Sequence, residues 1–152
     1  MKIYADKAHS LFLSGYNCTQ SVVGAFEEVT GLPKELAMRL ASPFGGGMGR
    51  LREVCGTFSG MVLVLGCLTG YDRAGDYDSK KELYARVQEL EKRFREKNNT
   101  IICRELLGLS GTKFSSVPEK RTDEYYKKRP CPDLAAFAAD ILSDYLNEIG
   151  II

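Results

Sequence analysis

Cysteine is the residue type in this sequence best able to do chemistry. Four of the five cysteines are widely separated, with 36, 47 and 27 residues between them: Cys18, Cys55, Cys103 and Cys131. None forms a Cys-x-x-Cys pair, so the spacings usual in zinc ribbons and ferredoxins are absent. These four cysteines predict thiol chemistry, or metal–thiolate chemistry if the fold brings the sulfurs together.

The same four cysteines are predicted to lie near helix starts. Asn17 and Gln20 form a capping-box pattern that places Cys18 in a first turn. Cys55 lies near the beginning of the predicted central helix, Cys103 follows the candidate N-cap Thr100, and Cys131 precedes Pro132-Asp133. Because helix N-termini present free N–H groups and a positive dipole end, we expect them to favour thiolates, helped by the neighbouring Arg52, Arg104 and Arg129.

Burial as structural residues is the alternative for these cysteines, because free cysteine is among the most buried residue types. The placement of four cysteines at four predicted helix starts favours a chemical role over purely structural burial. Cys67 differs, since it lies inside the apolar run Met61–Leu68, and we predict that it belongs to the core.

A glycine-rich segment precedes the central helix. Its glycines, Gly45, Gly46, Gly47 and Gly49, cannot form a helix interior and predict a loop with open backbone geometry. Such a loop can cradle an anion, but the P-loop lysine and a preceding strand are missing. Close backbone approach, which would let Cys55 lie near another cysteine, is the favoured role.

Apolar periodicity predicts an all-α fold: a single-domain antiparallel bundle over residues 1–152, with six to seven helices around a central apolar helix. Gly56 and Gly60 would give that helix a flat strip for close packing. The predicted spans are 3–14, 17–31, 33–41, 51–69, 79–97, 101–107 and 133–148, with 109–130 as loop.

The composition is that of an ordinary globular chain. Its 152 residues are 44% hydrophobic and 27% charged, and the net charge of +1 favours neither nucleic acid nor an anionic membrane. No signal peptide or membrane-inserting segment is evident, so we expect a cytoplasmic protein with reduced thiols. A single histidine leaves no Ser–His–Asp arrangement, and Cys-x-x-Cys-His for c-type haem is absent.

Five segments in this order resemble the C_GCAxxG_C_C family: Tyr16–Gln20, Phe44–Gly49, Cys55–Gly60, Cys103–Gly108 and Cys131. Thr57 replaces the family's usual alanine and adds a hydroxyl near Cys55. The resemblance implies a redox-active protein with four characteristic cysteines, Cys67 being extra. It also implies a link to transporter systems.

Three functions remain open on the sequence. The first is thiol–disulfide or electron transfer by the four cysteines. In this case the protein would need no cofactor and would exchange electrons with an unidentified redox partner. The second is an iron–sulfur or zinc protein with the same four cysteines as ligands. The third is a non-catalytic helical interaction module. The apolar central helix leaves a homodimer open.

Overall fold

The computed structural model describes residues 2–152, and their regular structure is helical. A 3-10 turn, Ser42–Phe44, joins the fourth helix to the fifth. The only β-type pairing among the described residues is an isolated antiparallel bridge between Val54 and Ile102. The α-helices in chain order are α1 Lys2–Leu13, α2 Cys18–Ala25, α3 Glu27–Thr30, α4 Lys34–Ala41, α5 Gly45–Met48, α6 Gly56–Thr69, α7 Tyr77–Asn98, α8 Cys103–Leu106, α9 Asp123–Lys128 and α10 Cys131–Glu148.

Helix α6 is the central apolar helix. It packs against α2, α7 and α10, and Met61, Val64 and Leu65 on it are almost completely buried. Side chains from α1, α2, α4, α7 and α10 join them in one hydrophobic core. The predicted all-α bundle around an apolar helix is therefore confirmed. Within residues 2–152, no helix has the length and apolar character needed to cross a bilayer.

Glycines on α6 set how closely α2 approaches it. A Cβ atom on Gly60 would lie 2.8 Å from the Cβ of Val22 and 3.1 Å from the carbonyl oxygen of Thr19. Such distances are shorter than van der Waals contact, so only glycine permits this crossing. The predicted flat strip is thus confirmed, and it brings the start of α2, with Cys18, against the start of α6.

Three predicted helix boundaries are wrong. The central helix begins at Gly56, because Arg50 and Arg52 have left-handed backbone φ angles of 66° and 59° and the chain before Cys55 is not helical. The helix predicted to reach Gly31 is interrupted at Phe26. The segment predicted as loop contains α9, which Thr122 caps by accepting a hydrogen bond from the Tyr125 N–H at 3.2 Å.

The prediction that Cys67 belongs to the core is also wrong. Cys67 is exposed, and its sulfur lies 4.0 Å from the carbonyl oxygen of Thr30. The sequence around Cys67 is uniformly apolar, so it has no helical periodicity that would distinguish a buried face from an exposed one.

The predicted capping box of α2 is confirmed and does more than cap. Asn17 Oδ1 accepts from the Gln20 N–H at 2.9 Å, and Asn17 Nδ2 donates to the carbonyl oxygen of Ser42 at 2.9 Å.

We expect Asn17→Ala to lower the free energy of unfolding by about 2 kcal/mol in urea titrations, since it removes a cap and a tertiary hydrogen bond. The exposed Asn147→Ala in α10 is the control, with a change below about 0.5 kcal/mol. An equal effect of the two substitutions would contradict this role.

Candidate functional site

All four widely spaced cysteines line one cavity of about 290 Å³. Cys18, Cys103 and Cys131 are the first residues of α2, α8 and α10, and Cys55 is the N-cap residue of α6. The predicted placement at helix starts is therefore confirmed. Cys55 and Cys103 are buried, whereas Cys18 and Cys131 are partly exposed.

Glycine makes room for the Cys18 thiol. A Cβ atom on Gly56 would lie 2.3 Å from Cys18 Sγ and 2.5 Å from Thr19 Oγ1. Burial raises the pKa of Cys18, and the backbone of Gly46 partly offsets that rise. The first residue of α6 and the glycine-rich segment therefore hold this sulfur from two sides.

The glycine-rich segment contains α5, which is not a regular helix because its backbone passes through the left-handed region. Gly46 and Gly47 have φ/ψ of 69°/27° and 70°/49°, and Met48 and Arg50 also have positive φ. A Cβ on Gly47 would lie 2.7 Å from Cys103 Cβ. Of the four glycines predicted as a binding loop, Gly45, Gly46 and Gly49 line the cavity, while Gly47 lies against Cys103. Each non-glycine residue in this conformation costs about 1 kcal/mol, and such strain is typical of functional sites.

The expectation that helix starts hold these cysteines as thiolates is wrong for three of them. Burial raises the pKa of Cys18 above its usual 9.0 and raises the pKa of Cys55 and Cys131 to about 12. Loss of hydration disfavours the charged sulfur, and here it outweighs the helix N-termini. At neutral pH these three cysteines are therefore protonated thiols.

The sulfurs also affect one another. After burial, the charge of Cys18 is the next largest cause of the raised pKa of both Cys55 and Cys131, and the charge of Cys103 raises the pKa of Cys18. The Thr57 hydroxyl lies 3.1 Å from Cys55 Sγ, as predicted from its place in the motif, and lowers the pKa of Cys55. The four thiols thus form one electrostatically coupled cluster.

The arginines are not distributed as predicted. Arg52 was expected beside Cys55, but its Nη1 donates to Cys103 Sγ at 3.7 Å. Arg104 lies next to Cys103 in sequence, yet it pairs with Glu53 at 3.1 Å. Arg129 does lie near Cys131, where its charge lowers the pKa of that thiol. Cys103 is therefore the cysteine in contact with a guanidinium group.

Further charged residues at the cavity are not evident from the sequence. Arg50 and Arg121 line it, as does Glu119, whose carboxylate contacts Arg50, Arg52 and Arg129. Glu119 and Arg121 lie in the segment predicted as loop, more than 60 residues from Cys55. The capping pattern Thr122-Asp123-Glu124 before Lys127-Lys128 was the available signal that this segment is structured.

The metal alternative gains no support from the arrangement of the side chains. All five cysteines are free thiols. Within residues 2–152, no group of three or more Cys, His, Asp and Glu side chains is arranged to hold a metal ion. The cluster is thus arranged as neighbouring thiols around a cavity.

Comparison with known proteins agrees with the cysteine pattern. Residues 16–145 match the family described as "Putative redox-active protein (C_GCAxxG_C_C)". No curated protein and no solved structure matches the chain. The matched segment includes all four cavity cysteines and covers most of the 152 residues. The chain therefore belongs to the C_GCAxxG_C_C family.

Proposed function

We propose that this protein is a dithiol–disulfide oxidoreductase whose reacting groups are the cavity cysteines. The observation that carries the proposal is the convergence of four cysteines, from four separate helix starts, on one cavity. A purely structural role would not require this convergence, because buried packing cysteines have no reason to share a solvent-reaching cavity. The exposed Cys67 lies outside the cavity and takes no part.

Cys103 is the proposed nucleophile and Cys18 the resolving cysteine. Cys103 has the guanidinium contact, which can stabilise the negative charge that the sulfurs carry during the exchange. Its charge acts directly on Cys18, which is the more accessible of the two. Cys55 and Cys131 lie beside this pair and share its electrostatic coupling.

The reaction is a thiol–disulfide exchange with an oxidised disulfide partner. Cys103 sulfur attacks one partner sulfur, the partner S–S bond breaks, and the first partner thiol leaves with one proton. Cys18 sulfur then attacks the mixed disulfide, and the second partner thiol leaves with the second proton. Two electrons pass from the cysteines to the partner, and a Cys18–Cys103 disulfide forms.

Thiol counting tests the proposal in a Cys67→Ser background, which removes the exposed thiol outside the cavity. We expect 2-hydroxyethyl disulfide to consume two thiols per chain. Peptide mapping should then find Cys18 joined to Cys103. Cys103→Ser should lower the rate by at least about a hundredfold, because the nucleophile is lost.

Cys131→Ser is the matched control, since it removes another cavity thiol and keeps the proposed pair. Circular dichroism should show that both variants stay folded. Four unreactive thiols in the folded protein would refute the redox function. A disulfide that excludes Cys103 would refute the assignment of the nucleophile.

A further inference from the structure

We propose that the oxidised substrate is a small anionic molecule whose acidic group binds the arginines beside the cysteine cluster. This inference rests on the proposed function and narrows its substrate class. The cavity holds about 290 Å³, which suits a small molecule. Its charges, its unpaired arginine nitrogen and the position of Glu119 together favour an anion.

The cavity is far more positive than the chain. Its charged lining residues are Arg50, Arg52, Arg121, Arg129 and Glu119, a net charge of +3, whereas the whole protein carries +1. Positive charge around a partly buried cavity attracts anions and raises their local concentration. All four cations are arginines, whose planar forks match carboxylates and oxyanions.

Arg52 has donor capacity that the protein does not use. Its side chain is only 8% exposed, and its Nε is buried with no hydrogen-bond partner among the described residues. An unpaired buried N–H is unfavourable, and a rotation of the Arg52 side chain that brings this N–H to a bound acceptor would remove that cost. Because Arg52 Nη1 also contacts Cys103 Sγ, a ligand held by Arg52 lies next to the proposed nucleophile.

Glu119 marks where an acidic group can bind. One oxygen of its carboxylate lies 3.8 Å from Arg50 Nη2 and 3.9 Å from Arg52 Nη2, and it also contacts Arg129. The Glu119 side chain is 45% exposed and belongs to an irregular segment, so a ligand can compete with it. One carboxylate for three arginines leaves charge for a second anion.

An anionic disulfide would react by the same two-step thiol–disulfide exchange, with the same transfer of two electrons and two protons. With the disulfide dithiodiglycolate as the oxidant, the cysteines lose two electrons and two protons and form one S–S bond. The reagent S–S bond breaks, and two molecules of thioglycolate leave with those protons. The carboxylate bound at Arg52 takes no part in the exchange and positions the disulfide against Cys103.

Rates of cysteine oxidation by two disulfides of similar size test the proposal in the Cys67→Ser protein. Dithiodiglycolate carries two carboxylates, and 2-hydroxyethyl disulfide is uncharged. Each rate is divided by that of the same protein unfolded in urea, which removes the intrinsic reactivity of the reagent. We expect the folded protein to prefer the anion by at least about tenfold, the size of a charge-assisted hydrogen bond.

Two variants should move this preference in opposite directions. Arg52→Gln should abolish most of it, and Glu119→Gln should increase it severalfold because the competing carboxylate is gone. Glu119 is exposed, so that variant keeps the test valid if Arg52→Gln fails to fold. Arg86→Gln removes the same charge from a partly exposed position on α7, outside the cavity, and should keep the wild-type preference.

Competition at constant ionic strength identifies the acidic group. Slowing by sulfate supports recognition of oxyanions in general, and slowing by glycolate alone supports a carboxylate-bearing substrate. The anion proposal is overturned if the ratio of the normalised oxidation rates, dithiodiglycolate to 2-hydroxyethyl disulfide, is near one. It is also overturned if this ratio is the same in all three variants. In both cases the redox function stands. If neither dithiodiglycolate nor 2-hydroxyethyl disulfide oxidises the cysteines of the folded protein, the redox function itself fails.

Discussion

Gly56→Ala is expected to destabilise the protein by about 3 kcal/mol, at the upper end of overpacking effects. The new Cβ would lie 2.3 Å from Cys18 Sγ, 2.5 Å from Thr19 Oγ1 and 3.1 Å from the carbonyl oxygen of Phe44. Alanine improves helix propensity by only about 1 kcal/mol, so the clash dominates. Urea unfolding under reducing conditions measures the loss, and iodoacetamide should label the displaced Cys18 faster.

Gly66→Ala in the same helix is the matched control. A Cβ at Gly66 meets no atom within 4 Å, and the residue lies in the interior of α6. We therefore expect stabilisation by about 0.5–1 kcal/mol and unchanged labelling of Cys18. If Gly56→Ala is as stable as Gly66→Ala, the close approach of α2 to α6 does not hold the thiol in place.

Raising the pH above 9 is expected to destabilise the folded protein through its buried thiols. In the unfolded chain, Cys55 and Cys131 lose their protons near their ordinary pKa of 9.0, whereas in the fold they keep them until about 12. The stability that these raised pKa values provide is complete below pH 9 and is lost as the pH rises toward 12. Each thiol contributes a loss of up to about 1.4 kcal/mol per pH unit.

Cys55→Ala isolates this effect from the other groups that titrate in alkali. Between pH 9 and the folded pKa of about 12, its free energy of unfolding should fall less steeply than that of the wild type. The difference should be about 1 kcal/mol per pH unit. Cys67→Ser, which changes an exposed thiol, should keep the wild-type slope. Parallel slopes for wild type and Cys55→Ala would show that the buried thiol ionises as readily as in the unfolded chain.

Local features of the site could be predicted because their signals lie within a few residues. The spacing of Asn17 and Gln20 identifies a capping box, and this places Cys18 at a helix start. The four-residue interval between Gly56 and Gly60 predicts the close crossing with α2. Such patterns depend on helix geometry alone.

Features set by tertiary packing could not be predicted in this way. The ionisation of Cys55 depends on how deeply the fold buries it, and desolvation outweighs the helix start that the sequence reveals. The contacts of Arg52 with Cys103 and Glu119 join residues more than 50 positions apart. The positive φ of Met48 and Arg50 is equally hidden, since neither residue favours it.

Because the four cavity sulfurs come from separate parts of the chain, their cluster exists only in the tertiary structure. In a Cys-x-x-Cys protein, one helical turn carries both sulfurs and stays intact when its surroundings loosen. Here the four cysteines lie at the starts of α2, α6, α8 and α10, so any loosening that moves these helices apart separates the sulfurs. The proximity of the four thiols therefore depends on the packing between the helices.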